Sequence, residues 1–167
     1  MMGSLFFSFG SAHHQTQRTF MKLSPHFTLE ELANTSYADY LRLNTAYALE
    51  NISKLQVLAK TILEPCRAIC GPLIVSSGVR CPELNEKVRG VKTSQHCLCE
   101  AADVVPTKMN IEEAFLKIAA SDIPYGQLIL ESIGKSKWIH VSLGHPYRPK
   151  SKCKQNLIYD GKTYKEL

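Results

Sequence analysis

An α+β fold in a single domain, with N-terminal helices packed on one side of a small, mainly antiparallel sheet, is the architecture this sequence predicts. Three observations carry it. Helix-start signals and apolar spacing of helical period fill the chain as far as Cys70, short apolar runs separated by turns fill the remainder, and 167 residues is the size of one ordinary domain.

Taken in order, residues 1–20 open with "MMGSLFFSFGSA", whose apolar run has no positively charged segment before it and so makes a poor secretory signal. They read as a disordered or non-native extension, with Met21 an alternative start and 21–167 the folded domain. In "PHFTLEELA", Thr28 can cap the amide of Glu31, Glu31 can reach back, and Phe27 can staple onto Leu32, so a short helix follows. From about Thr45, Leu49, Ile52, Leu55, Leu58, Ile62 and Ile69 recur at helical spacing, which predicts one long amphipathic helix, with Pro65 either kinking it or starting a new turn there. Gly71 stops it. "CGPLIVSSGVRCPELN" then reads as that stop, a strand at Leu73 to Val75 and a polar loop, and "AADVV" as a second strand. Asn110 with Glu113 forms another capping box, opening a helix to about Ala120. "QLILES" and "WIHVSL" are strands joined by "IGKSK", and "NLIYDGKTYKEL" is a hairpin turning at Asp160-Gly161.

Composition narrows the function classes. Twenty Lys and Arg against fifteen Asp and Glu give a net charge of +5. The basic residues are scattered, except for Arg148, Lys150, Lys152 and Lys154, which read as a solvated tail with at most a mild attraction to anionic polymers such as cell wall. No nucleic-acid motif accompanies them. No apolar run is long enough for an integral membrane segment, and a monomer is expected. The six cysteines do not fall into two CxxC pairs; Cys66 and Cys70, one helical turn apart, read as small core residues, and the redox compartment stays open.

The chemistry concentrates in "SQHCLCEAADVV" and "WIHVSL". Asp103 stands among Ala101, Ala102, Val104 and Val105, where an unpaired carboxylate costs several kcal/mol unless a cation compensates it. Strand alternation sends Trp138, His140 and Ser142 to one face and Ile139, Val141 and Leu143 to the core. His96, Asp103 and His140 together make a three-ligand set, the number a catalytic zinc site uses when it keeps its fourth position open.

The run "SSGVRCPELNEKVRGVKTSQHCLCEAADVV", then "QLILES" and "WIHVSL", resembles the zinc D-Ala-D-Ala carboxypeptidase family and its peptidoglycan L,D-endopeptidase relatives, with their S-x-H-x-x-G-x-A-x-D motif followed by W-x-H. Ser94, His96, Ala101, Asp103, Trp138 and His140 match position by position, and the likeness, phage and bacterial members included, spans roughly residues 23–145. The resemblance implies a hedgehog-type fold in which His96, Asp103 and His140 hold one catalytic zinc ion and a carboxylate near the last histidine activates water. Where many members place that glutamate, this chain has Lys137, which shifts the expected base to Glu131, in a context similar to the E-S-K-x-H-I-H of hedgehog domains; Glu100 and Glu112 are its rivals. The resemblance further implies that Arg80 binds a substrate carboxylate, and Ser94 and Gln127 fit as donors to substrate carbonyls or to groups supporting the ligands. Cys99 replaces the family glycine, which questions a positive φ there.

These readings predict a zinc metallopeptidase hydrolysing peptidoglycan stem peptides, as D,D-carboxypeptidase or L,D-endopeptidase, acting at the cell wall or periplasm and suited to phage or prophage lysis. Two alternatives stand beside it. One is a catalytically inactive module binding cell-wall peptides or a protein partner; the other is a structural zinc site using His96 with Cys97 or Cys99 and a distant Cys81 or Cys153.

Overall fold

The computed structural model describes residues 20–167, so the extension expected over residues 1–20 lies outside them, Phe20 apart. The first helix is α1 (Leu29–Ala33), and Thr28 caps it as expected: its hydroxyl accepts from the Glu31 amide at 3.2 Å, and Glu31 Oε2 accepts from the Thr28 amide at 2.8 Å. Phe27 and Leu32, the two halves of the expected staple, are buried in one core.

The long helix differs from its expected form in its N-terminal half. It starts earlier, as α2 (Leu41–Glu50), and is interrupted at Asn51, where φ −108° and ψ 18° are not helical. The break rotates the apolar face, so Asn44 and Ala48 turn to the core and Leu49, expected within the stripe, is 43% exposed. Beyond it, α3 (Ile52–Leu58), a π-helical turn (Ala59–Leu63) and α4 (Glu64–Cys70) run on continuously, with Leu55, Leu58 and Ile62 fully buried. Pro65 marks the irregularity: lacking an amide hydrogen and crowding the carbonyl four residues back, it fits in the first turn of α4, directly after the widened turn. Gly71, at φ +79°, ends the helix.

A six-stranded sheet follows, in the order β1-β2-β4-β3-β5-β6. Its strands are β1 (Leu73–Ser77), β2 (Ala101–Pro106), β3 (Tyr125–Ile133), β4 (Ser136–Leu143), β5 (Gln155–Tyr159) and β6 (Tyr164–Glu166). Every pairing is antiparallel except that of β3 with β5. Between β1 and β2, "CPELN" is not the polar loop expected but α5 (Pro82–Lys87), opened by a proline at its first position, where a missing amide hydrogen does no harm.

Helix α6 (Ile111–Ala119) begins at Asn110, whose side chain accepts from the amides of Glu112 and Glu113. The return contact expected from Glu113 is replaced by an ion pair with Lys117 at 2.8 Å. Only Gly134 and Lys135 separate β3 from β4, a tighter turn than "IGKSK", and Asp160-Gly161 turns the last hairpin. Alternation along β4 holds: Ile139, Val141 and Leu143 are buried in the core that the helices cover. The opposite face therefore carries Trp138, His140 and Ser142. Across it, Asp103, His140 and Ile129 stand opposite one another in register on β2, β4 and β3.

Glu64 fastens the segment before α1 to the start of α4. Its Oε1 accepts from the Ser24 hydroxyl at 2.7 Å and the His26 amide at 2.8 Å, with His26 Nδ1 at 2.8 Å from Oε2. Burial would raise its pKa, but these bonds prevail and hold it below the ordinary glutamate value. A depressed native pKa stabilises the fold above the unfolded-state value and ceases to do so as pH falls through the native one. Glu64→Gln is therefore expected to lower stability by about 1 kcal/mol at neutral pH, a deficit that closes on acidification below the ordinary glutamate range. Thermal melts of both proteins across that range check this.

Candidate metal centre

Asp103, His96 and His140 are 8%, 3% and 7% exposed, and their ligand-bearing atoms converge on one point of the sheet face. Asp103 Oδ1 lies 2.9 Å from His140 Nδ1 and 3.3 Å from His96 Nε2, and the two ring nitrogens are 3.2 Å apart. Antiparallel register supplies two corners of this triangle, and the turn-rich segment before β2 supplies His96.

The tautomers follow from what the outer ring nitrogens face. His96 Nδ1 lies 2.6 Å from the Gly78 carbonyl, which only accepts, so the hydrogen sits on Nδ1 and Nε2 is left with a lone pair in the neutral ring. His140 Nε2 lies 2.9 Å from Gln95 Oε1, whose amide is oriented by donation from Gln95 Nε2 to Ser142 Oγ at 3.1 Å. Its Nδ1 is the free end. Two imidazole lone pairs and a carboxylate oxygen thus face one another, an arrangement that repels itself unless a cation lies among them. The edge of a tetrahedron with arms of about 2.05 Å is about 3.3 Å, so the three separations fit a small tetrahedral metal ion.

The helical half of the molecule positions these ligands. Asn44, fully buried on α2, donates to the carbonyls of Ala33 and Val79 and accepts from the Cys81 amide, each at 2.8 Å, which fixes the loop that offers Gly78 to His96. Position 78 must be glycine, since a Cβ there would meet the Leu32 carbonyl at 2.2 Å. Tyr47 donates to the Cys97 carbonyl at 2.7 Å, while Lys54 donates to the Leu98 carbonyl at 2.8 Å and pairs with Glu100 at 3.0 Å. Nothing in the sequence pattern marked Asn44, Tyr47, Lys54 or Gln95, because each acts on residues far along the chain.

A cleft of about 650 Å³ opens over the three ligands, and Arg80, Ser94, Gln127, Glu131 and Trp138 all line it. Glu131 stands opposite Trp138, two residue pairs along the hairpin from the Ile129–His140 pair and so on the same face. Burial pushes its pKa up; His140 and Arg80 oppose that, and Asp103 adds to it. The rival carboxylates are engaged elsewhere: Glu100 holds Lys54, Glu112 holds Lys137, and neither lines the cleft. Lys137 itself alternates with Trp138 and so projects from the other face of β4.

Two expectations change. Among the described residues no cysteine joins the ligand cluster, and Cys99 is fully buried in the core with its thiol pushed up to about 12 by burial, so the thiolate site is not formed. The basic run from Arg148 is not simply a solvated tail either: Arg148 turns into the cleft, and Lys154 donates to the carbonyls of Ser121 and Ile123 over the Tyr125 ring.

Fold and site together define a class: α+β domains in which two histidines and one aspartate, a set that could hold one metal ion, converge on an open sheet face. The chain belongs to the peptidase M15 family, whose model matches residues 25–142 and thus takes in His96, Asp103 and His140, all six α-helices and the sheet from β1 through nearly all of β4. No curated relative matches the chain. Membership supports a hydrolase of the metallopeptidase type, and no helix among the described residues is long and apolar enough to cross a membrane.

Cys99 retains a φ of +56°, the conformation for which glycine is suited, so the loop is not distorted but strained. A left-handed non-glycine residue costs about 1 kcal/mol or more, against which its buried sulfur fills core space. Cys99→Ala keeps the strain and empties the space, whereas Cys99→Gly relieves the strain. We expect Cys99→Ala to be at least as destabilising as Cys99→Gly, although it removes fewer atoms; denaturant titrations of the two variants decide the order.

Proposed function

We propose that this protein is a zinc peptidase acting on peptidoglycan stem peptides, as D,D-carboxypeptidase or L,D-endopeptidase, with His96, Asp103 and His140 as zinc ligands and Glu131 as the general base. The observation that carries the reading is the convergence of three ligand lone pairs at the floor of a cleft that also contains an otherwise uncommitted carboxylate, Glu131. An ion held there would polarise the scissile carbonyl and lower the pKa of a water molecule beside it.

The chain's own residues do the rest. Gln95 and the Gly78 carbonyl keep both imidazoles in the tautomers that bind metal, and outer partners of this kind commonly change metal affinity by about 10- to 100-fold. Arg80 holds the substrate's carboxylate through its planar guanidinium and so sets which bond lies over the ligands. Glu131 takes a proton from the attacking water and returns it to the departing amine; a pKa raised by burial favours this double duty, because it makes the carboxylate a better proton acceptor. Ser94, buried at the cleft wall, offers a hydroxyl donor to the substrate backbone.

Digestion of muropeptides by the zinc-loaded protein, followed by mass spectrometry, is expected to show metal-dependent loss or cleavage of a D-Ala-containing stem. Glu131→Gln should retain zinc and lower kcat by at least about 100-fold, and His140→Ala should lose both zinc and activity. Full activity in Glu131→Gln would remove that residue from its role. Binding of stem peptides without cleavage by the wild-type protein would instead indicate the inactive binding module. Separately, chelator competition on Gln95→Leu should show zinc affinity reduced by about 10- to 100-fold.

A further inference from the structure

We propose that Arg148 is a second carboxylate-binding residue of the cleft, so that the peptide it accepts carries two carboxylates, one on each side of the metal ligands. The inference rests on the peptidase reading above and narrows its substrate class to acidic peptides.

Arg148 is placed with some care. Its stem lies across Gly126, where a Cβ would come within 2.5 Å of Arg148 Cδ and 2.4 Å of the Leu143 carbonyl, so the path exists only because that residue has no side chain. Its Nη1 donates to Gln127 Oε1 at 3.3 Å, and Gln127 Nε2 donates in turn to Gln155 Oε1 at 3.2 Å, which leaves the Gln127 oxygen facing the guanidinium. Arg148 Nε is buried with no partner, and so is Arg80 Nε. Among the described residues neither arginine has a carboxylate within ion-pair distance, whereas Lys54, Lys117 and Lys137 each have one. A half-buried guanidinium without a counter-ion is costly, and in a cleft the missing anion is supplied by what binds there.

The strand order separates the two cations. Arg80 follows β1, Arg148 lies over β3, and the ligand strands β2 and β4 run between them. On β3, Gln127 lies on one side of the Ile129–His140 pair and Glu131 on the other, so Arg148 and the general base occupy opposite ends of the same strand face. A peptide lying over the ligands thus meets a planar, bidentate anion receptor on either side. A free C-terminal carboxylate answers one; a second free carboxylate on the far side of the scissile bond answers the other.

The test uses the zinc-loaded full chain and two synthetic stem peptides that differ only in whether the second carboxylate is free or amidated. The wild type should bind the acid form, by calorimetry, and cleave it, by kcat/KM, about tenfold or more better than the amide. Arg148→Gln should bring the two peptides to within about twofold of each other, and Arg148→Lys should restore part of the difference. Equal binding of both peptides by the wild type, or a preference that persists in Arg148→Gln, overturns the proposal. Retained binding preference without cleavage, abolished by Arg148→Gln, would sink the peptidase reading and leave the carboxylate site standing.

Discussion

Mutual repulsion among three buried electron pairs is the condition the rest of this structure is arranged around. Asp103, His96 and His140 present acceptors to one another at 2.9 to 3.3 Å, and protons are not available to relieve them because Gly78 and Gln95 draw those of the imidazoles outward. The same feature that would be a defect in a core is a preformed cation site on a sheet face. Antiparallel pairing of β2 with β4 sets two ligands opposite each other, and this rigid pair needs only one loop to bring the third.

Around that site charge is distributed by sign and by distance from the centre. The negative groups, Asp103 and Glu131, stand on the ligand strands and their neighbour; the positive ones, Arg80 and Arg148, enter from the flanks. Lysines are kept away from the cleft by carboxylates of their own, Glu100 for Lys54 and Glu112 for Lys137. The pairing of Lys137 with a helix residue places it on the other side of the sheet from the cleft.

Much of this was legible in the sequence, for reasons that can be named. Period-two alternation in "WIHVSL" predicted the core and site faces of β4, the Thr28–Glu31 box is local, and an aspartate between apolar neighbours demanded a cation. The failures share a cause. The break at Asn51 leaves the apolar spacing on either side intact, so the pattern reads straight through it, and Leu49 was assigned to a stripe it does not join. The reversal of Arg148 into the cleft depends on an absent side chain at Gly126, twenty-two positions earlier, and no window along the chain contains both. The Gly78–His96 contact is likewise tertiary, although the ligand it orients was plain from its motif.

Asn44 carries a consequence of a different kind. One amide group ties α1, through Ala33, to the loop that contains Val79 and Cys81, and all three of its bonds are made inside the core where none can be exchanged for water. The helical half and the sheet half are thereby joined at the point from which the first histidine is steered. Unfolding of the N-terminal helices would release the loop that orients His96, and an ion bound by the three side chains would in turn resist unfolding of helices that touch it nowhere. An ion held by these three side chains would therefore read out the cooperativity of the whole fold in its affinity.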